Sequence, residues 1–192
     1  MGVVKMAGFG DIKAYIVLKV IDPKGKVVKT KKVPCHTFLK NFSEIVWIDL
    51  FIRGDISNTA TVTNTGGVAQ AIQHSNCFYY NPSSSYKLKC TIGTGTQAFD
   101  RTQFNVQTLL ATLDYTQYDI VDDSTQKTLT ISFSYLNSSG SAKDVTEACI
   151  VAVYVNTGAS AFAMAPSRDV FVAVNVPNNY TLAIGYVITF PW

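Results

Sequence analysis

Residues 127–136, "KTLTISFSYL", alternate without a break: Leu129, Ile131, Phe133 and Tyr135 fall on one face, with Thr and Ser between them. A period of two puts successive side chains on opposite sides of an extended chain, so the run suits a strand with one buried and one wet face. Similar runs recur between turn signals. "KAYIVLKVID" (13–22) and "KVVKTKKV" (26–33) flank "PKG", and "TATVT" (59–63) and "VAQAI" (68–72) flank "NTGG". "CFYY" (77–80), "YKLKCTI" (86–92), "QYDIV" (117–121) and "DVTEACIVAVYV" (144–155) follow, and "RDVFVAVNV" (168–176) and "YTLAIGYVITF" (180–190) close the chain around "PNN". "VQTLLATL" (106–113) fits either a short helix or a strand. About nine or ten short strands with turns throughout predict an antiparallel packing rather than a parallel sheet.

One stretch changes period. In "HTFLKNFSEIVWIDLFIRG" (36–54), Phe38, Phe42, Ile45, Val46, Asp49 and Ile52 recur at helical spacing, Thr37 can cap the start and Gly54 can end it. The expectation is therefore a mainly β chain: one antiparallel β-sandwich domain over 1–192, jelly-roll-like, with one substantial helix near residues 38–53. Residues 1–36 form a basic hairpin or assembly arm set apart from it.

Composition narrows the surface. Charged residues are only 15% of the chain and hydrophobic ones 47%, against a usual charged share of about 25%. Plentiful aromatic and β-branched residues argue against disorder. The net charge of +3 is uneven, with nine lysines in residues 1–40 against Asp11 and Asp22. Lys24, Lys26, Lys29, Lys31 and Lys32 concentrate the excess. Such a run suits a solvated edge strand, where lysines discourage unwanted pairing. A contact face for nucleic acid or an acidic neighbour is the alternative. No secretory leader and no membrane-spanning run of about 20 apolar residues is visible. Met6 stands where a myristoylation signal needs Ser or Thr.

Little in the chain points to chemistry. Gly93-Thr94-Gly95 follows an alternating run, but "TQAFDRT" supplies neither the Lys-Ser/Thr of a P-loop nor the third glycine of a dinucleotide turn. The pair reads as a turn whose glycines tolerate positive φ. Only His36 and His74 could serve as a catalytic base, and G-x-S-x-G is absent. Asp122-Asp123 lack EF-hand spacing. Cys35, Cys77, Cys90 and Cys149 are too scattered for a zinc site; they read as buried thiols, with a Cys77–Cys90 disulfide as the alternative. Asn41, Asn137 and Asn179 open glycosylation sequons and "RGD" (53–55) matches an adhesion tripeptide, both short enough to arise by chance. No catalytic residue, metal or cofactor is expected.

Three stretches together, "IGTGTQAFDRTQFNVQTLL", "DVTEACIVAVYVNTGASAFAMAPSRDVF" and "VNVPNNYTLAIGYVITF", resemble β-sandwich virion proteins of tailed phages and archaeal viruses, of the tail, turret or capsid-associated kind. "KNFSEIVWIDLFI" is similar to a helix that such proteins carry ahead of the sandwich. The resemblance implies an assembly role in the virion, built in the host cytoplasm, with copies of the chain and other virion proteins as partners. It implies no catalytic residue. Tyr79, Tyr80, Phe162 and Trp192 are the expected contact residues, because rigid amphipathic aromatics carry much interface energy. A pilus-type filament subunit joined by strand donation, or a carbohydrate- or receptor-binding module, are the alternatives.

Overall fold

The structure is a computed structural model that describes residues 13–35, 60–72, 88–100, 102–155 and 161–191. Ten strands run through them: β1 (Lys13–Ile21), β2 (Val27–Pro34), β3 (Ala60–Thr63), β4 (Ala69–Ile72), β5 (Lys89–Gly93), β6 (Leu109–Asp122), β7 (Gln126–Leu136), β8 (Lys143–Val155), β9 (Ala161–Val176) and β10 (Thr181–Pro191). Eight join in one sheet of order β2-β1-β10-β7-β6-β5-β8-β9, every pair antiparallel. β3 and β4 form a separate hairpin.

This corrects the expected architecture. The strands are there, but they do not form two layers with separate edges. β6 is shared: Leu109–Asp114 pairs with β5, and Tyr115–Asp122 pairs with β7. A bulge at Thr116 marks the changeover, and the Thr116 hydroxyl donates to the Ser132 carbonyl at 3.1 Å. Bulges bend a strand and sharpen its twist, so the sheet rolls on itself into a nearly closed barrel. The helix expected over 38–53 lies outside the described residues, and among the described residues there is no helix. Residues 106–113 resolve as the approach to β6 and its start.

The basic N-terminal hairpin is not set apart. β1 pairs with β10 over nine positions, Lys13↔Thr189 to Ile21↔Thr181. Its alternation supplies the reason, since Ile16, Leu18 and Val20 point into the barrel and would be stranded in water otherwise. They join Ile131, Phe133, Ile184 and Tyr186 from β7 and β10, and Cys90, Ile92, Ala148 and Ile150 from β5 and β8, in one core. The Phe133 and Tyr186 rings meet edge-on, 6.2 Å apart at 89°.

The barrel's two edge strands, β2 and β9, approach one another. Lys31 Nζ donates to the Val172 carbonyl at 2.6 Å, and Cys35 lies beside Asp169. These two contacts advance from β2 toward Cys35 while receding along β9, the antiparallel sense that an eighth, barrel-closing pairing would need. Turns are closed by side chains: Asp22 Oδ1 accepts the Lys24 and Lys26 N–H groups, and Asp123 Oδ1 those of Thr125 and Gln126. Asn137 is wholly buried between β7 and β8, donating to the Ser141 and Val176 carbonyls and accepting from Ser139. That excludes Asn137 as a glycan acceptor in the folded chain.

Candidate functional site

The densest polar constellation gathers where the sequence showed a GTG turn. β8 and β9 place Glu147 and Arg168 on the outer face of the barrel wall, and residues 94–100 and 102–108 lie over them. Both side chains have no solvent exposure. Glu147 Oε1 accepts the N–H groups of Gly95 (2.9 Å), Gln107 (2.9 Å) and Thr108 (3.0 Å). Oε2 accepts Arg168 Nε at 2.9 Å and Nη2 at 2.6 Å. The remaining guanidinium donors reach Gln103 Oε1 at 2.5 Å and the Gln97 carbonyl at 3.2 Å. Thr146 Oγ1 adds a bond to the Gly95 carbonyl at 2.6 Å. Under the same loop, Val106 and Phe99 pack on Cys149, Val151 and Ala165 as a second, smaller core.

The Gly95 N–H of the turn, with those of Gln107 and Thr108 further along the loop, therefore does bind an anion, but the anion is the chain's own carboxylate. The glycines are required for space, and this corrects their expected role. Positive φ among the described glycines occurs at Gly25, Gly67 and Gly140, not at Gly93 or Gly95. A Cβ on Gly95 would lie 2.5 Å from Glu147 Oε1 and 2.7 Å from Gln107 Cβ. On Gly93 it would collide with the same carboxylate oxygen and lie 2.6 Å from the Thr108 carbonyl. Burial opposes ionisation of Glu147. The Gln107 and Thr108 N–H groups and then Arg168 outweigh it, holding the carboxyl below its ordinary range.

A second polar group sits inside the barrel. Asp169, one residue along β9, faces the opposite way from Arg168, with Cys35, Cys90 and the Tyr186 hydroxyl around it. Burial first, and then the Asp169 charge, push the Cys35 thiol up. Burial likewise raises Cys90, partly offset by its contact with Tyr186. Cys149, beside the locked Glu147–Arg168 pair that holds the loop, is also raised, chiefly by burial. The thiolate is the nucleophilic and metal-binding form, so all three are held in their inert state. They are free thiols, and Cys90 is accordingly not in a disulfide with Cys77. Among the described residues no group of three or more His, Cys, Asp or Glu is placed to hold a metal. Asp122 instead pairs with Lys127 at 3.0 Å.

The expected contact residues are scattered. Tyr79, Tyr80 and Trp192 lie outside the described residues, as do Cys77, His36, His74 and the RGD triplet. Phe162 is on β9, opposite Tyr154 of β8. The expected basic face divides: Lys31 bridges to β9, and Lys32 Nζ sits 3.5 Å over the Tyr15 ring. Lys24, Lys26 and Lys29 remain exposed around the β1–β2 turn. A depression of about 560 Å³ lies on the outer wall across β1, β10 and β7, lined by small and hydroxyl side chains such as Gly185, Ala183, Ser132, Ser134 and Thr130 with Lys19 at its edge. Among the described residues the only aromatic side chain lining it is Phe133, which is buried in the core.

Glu147 and Arg168 were not singled out from the sequence. The signal existed, in a glycine pair and a lone "VTE" glutamate on a strand, but their partnership spans 52 residues. Among the described residues no helix is long and apolar enough to cross a membrane. No known protein family, no curated protein and no solved structure matches the chain.

Proposed function

We propose that the chain is a structural protein that self-associates, without catalytic turnover, as a capsid, turret or tail component of a virion. The carrying observation is the exposure of large apolar side chains on the rims and edges of the barrel: Val27 and Val28 on β2, Ile120 and Val121 on β6, and Val172 on β9, the last 80% exposed. Exposed aliphatic groups gathered on strand ends and edges favour contact with another protein surface. The virion assignment rests on the sequence resemblance. Two of its three stretches supply the loop and the Glu147–Arg168 pair that holds it on the wall. Size measurement of the purified chain by light scattering, followed by electron microscopy, tests the reading. Rings, tubes or sheets are expected; a monomer at every concentration overturns it.

A pilus-type filament is the second reading, favoured by the seam between β2 and β9. A donated strand could enter there by pairing with both edges. Polymers that survive detergent and dissociate only on unfolding would select it over reversible assembly.

A further inference from the structure

We infer that copies of this chain join head to tail, the β1–β2 hairpin of one docking on the β6–β7 hairpin of the next. This rests on the self-association reading and names its contact.

Among the described residues the two hairpins are projecting ribbons that lie at opposite ends of the barrel. β10 sets the scale: its first residue, Thr181, pairs with Ile21 beside the β1–β2 turn, and its last, Pro191, pairs with Gln126 at the β6–β7 turn. Eleven residues separate the tips, roughly 35 Å of extended chain. One strand of each tip has lost the one-face burial that holds the rest of the sheet. Residues 27–30 of β2 and 119–122 of β6 are exposed at every position, while their partners keep the barrel's burial, Val20 of β1 being buried and Leu129 of β7 half-buried against the core.

Each tip joins an apolar pair to charge of one sign. Val27 (44% exposed) and Val28 (51%) stand among Lys24, Lys26 and Lys29, with Asp22 the lone acid and occupied in closing its turn. Ile120 (61%) and Val121 (52%) stand among Asp119, Asp122 and Asp123, with Lys127 the lone base, paired to Asp122. Two basic tips repel and two acidic tips repel, so the chain opposes a symmetric dimer through either end. Basic against acidic covers apolar side chains on the contacting faces of both tips while bringing opposite charge together. A contact between two different patches of the same molecule is heterologous; repeated, it makes a ring or an open filament. An unrelated acidic partner would also fit the basic tip, but it would leave Ile120 and Val121 uncovered.

Charge exchange tests this directly. One variant carries Lys24→Glu, Lys26→Glu and Lys29→Glu; the other carries Asp119→Lys and Asp122→Lys, leaving the turn-closing Asp22 and Asp123 intact. Each alone is expected to raise the concentration at which assembly begins by about tenfold or more, with an unchanged circular dichroism spectrum. Mixed one to one, the two are expected to assemble again, because each now presents the tip its partner needs. Assembly of either variant alone at the wild-type concentration, or failure of the folded mixture to assemble, overturns the inference while leaving self-association standing. A wild-type chain that stays monomeric overturns both.

Discussion

Replacing Glu147 by Gln changes a single atom and should dismantle the lock. With Oε1 kept toward Gly95, Gln107 and Thr108, the new amide nitrogen faces Arg168 Nε and Nη2, donor against donor. With the amide reversed, the nitrogen faces three backbone N–H groups instead. Either way at least two bonds are lost, each charge-assisted and worth about 1.5–3 kcal/mol. Arg168 then keeps its charge in a wholly buried place without its full carboxylate partner, while Gln103 and the Gln97 carbonyl still accept from it. Breaking one side of a buried pair costs about 3–5 kcal/mol, and E147Q is expected in that range, a large part of a domain's total of about 5–15 kcal/mol. Arg168→Met should cost less, because the stranded carboxylate retains its three N–H donors. Urea unfolding gives the loss, and hydrogen exchange gives its location: the Gly95, Gln107 and Thr108 amides should lose protection before the β1–β10 ladder does. The acid limb adds a third check. Because the folded carboxyl titrates below its ordinary value of 4.5, its contribution is complete above that pH. It fades as pH falls through the lower folded value, where the unfolded chain binds the proton more readily. Wild type should therefore lose stability more steeply than E147Q in that range. An E147Q midpoint within about 0.5 kcal/mol of wild type, or unchanged protection of the three amides, refutes the lock.

Two further outcomes follow from the packing. Gly95→Ala is expected to destabilise by about 1–3 kcal/mol or more through overpacking, since its Cβ meets the Glu147 carboxylate; Gly140→Ala, with open space around it but φ of +82°, should cost about 1–2 kcal/mol from strain alone. Equal losses of amide protection at Gln107 and Thr108 in the two variants would contradict the steric account. Cys90 and Cys149 should react with a thiol reagent only as fast as the protein unfolds, read by mass spectrometry of labelled peptides; prompt labelling of Cys90 in the native chain would show that the barrel is open to solvent.

What could be read in the chain order was local. Alternation located the strands flanking "PKG" and "NTGG" to within a residue or two, and the turn-side ends of those flanking "PNN", because the side-chain period and the turn chemistry are properties of neighbours; β9 starts at Ala161, seven residues before the expected 168. The closure of the sheet was not local. A two-layer sandwich and a rolled sheet use the same alternating strands, and they differ in whether β6 ends at Tyr115 or continues past a bulge. The expected basic face was legible as charge, yet Lys31 was drawn away from it by a carbonyl 141 residues distant.

The amino-acid order by itself determined a chain of alternating ribbons with weak charge, glycines in a turn and lysines clustered near one end, since each of these follows from residues within a few positions of one another. The tertiary structure alone decided that the GTG turn encloses a glutamate rather than a phosphate, and that basic and acidic ribbons point from opposite ends. Both depend on which distant strands become neighbours, and that is settled by burial of the whole core rather than by any segment within it.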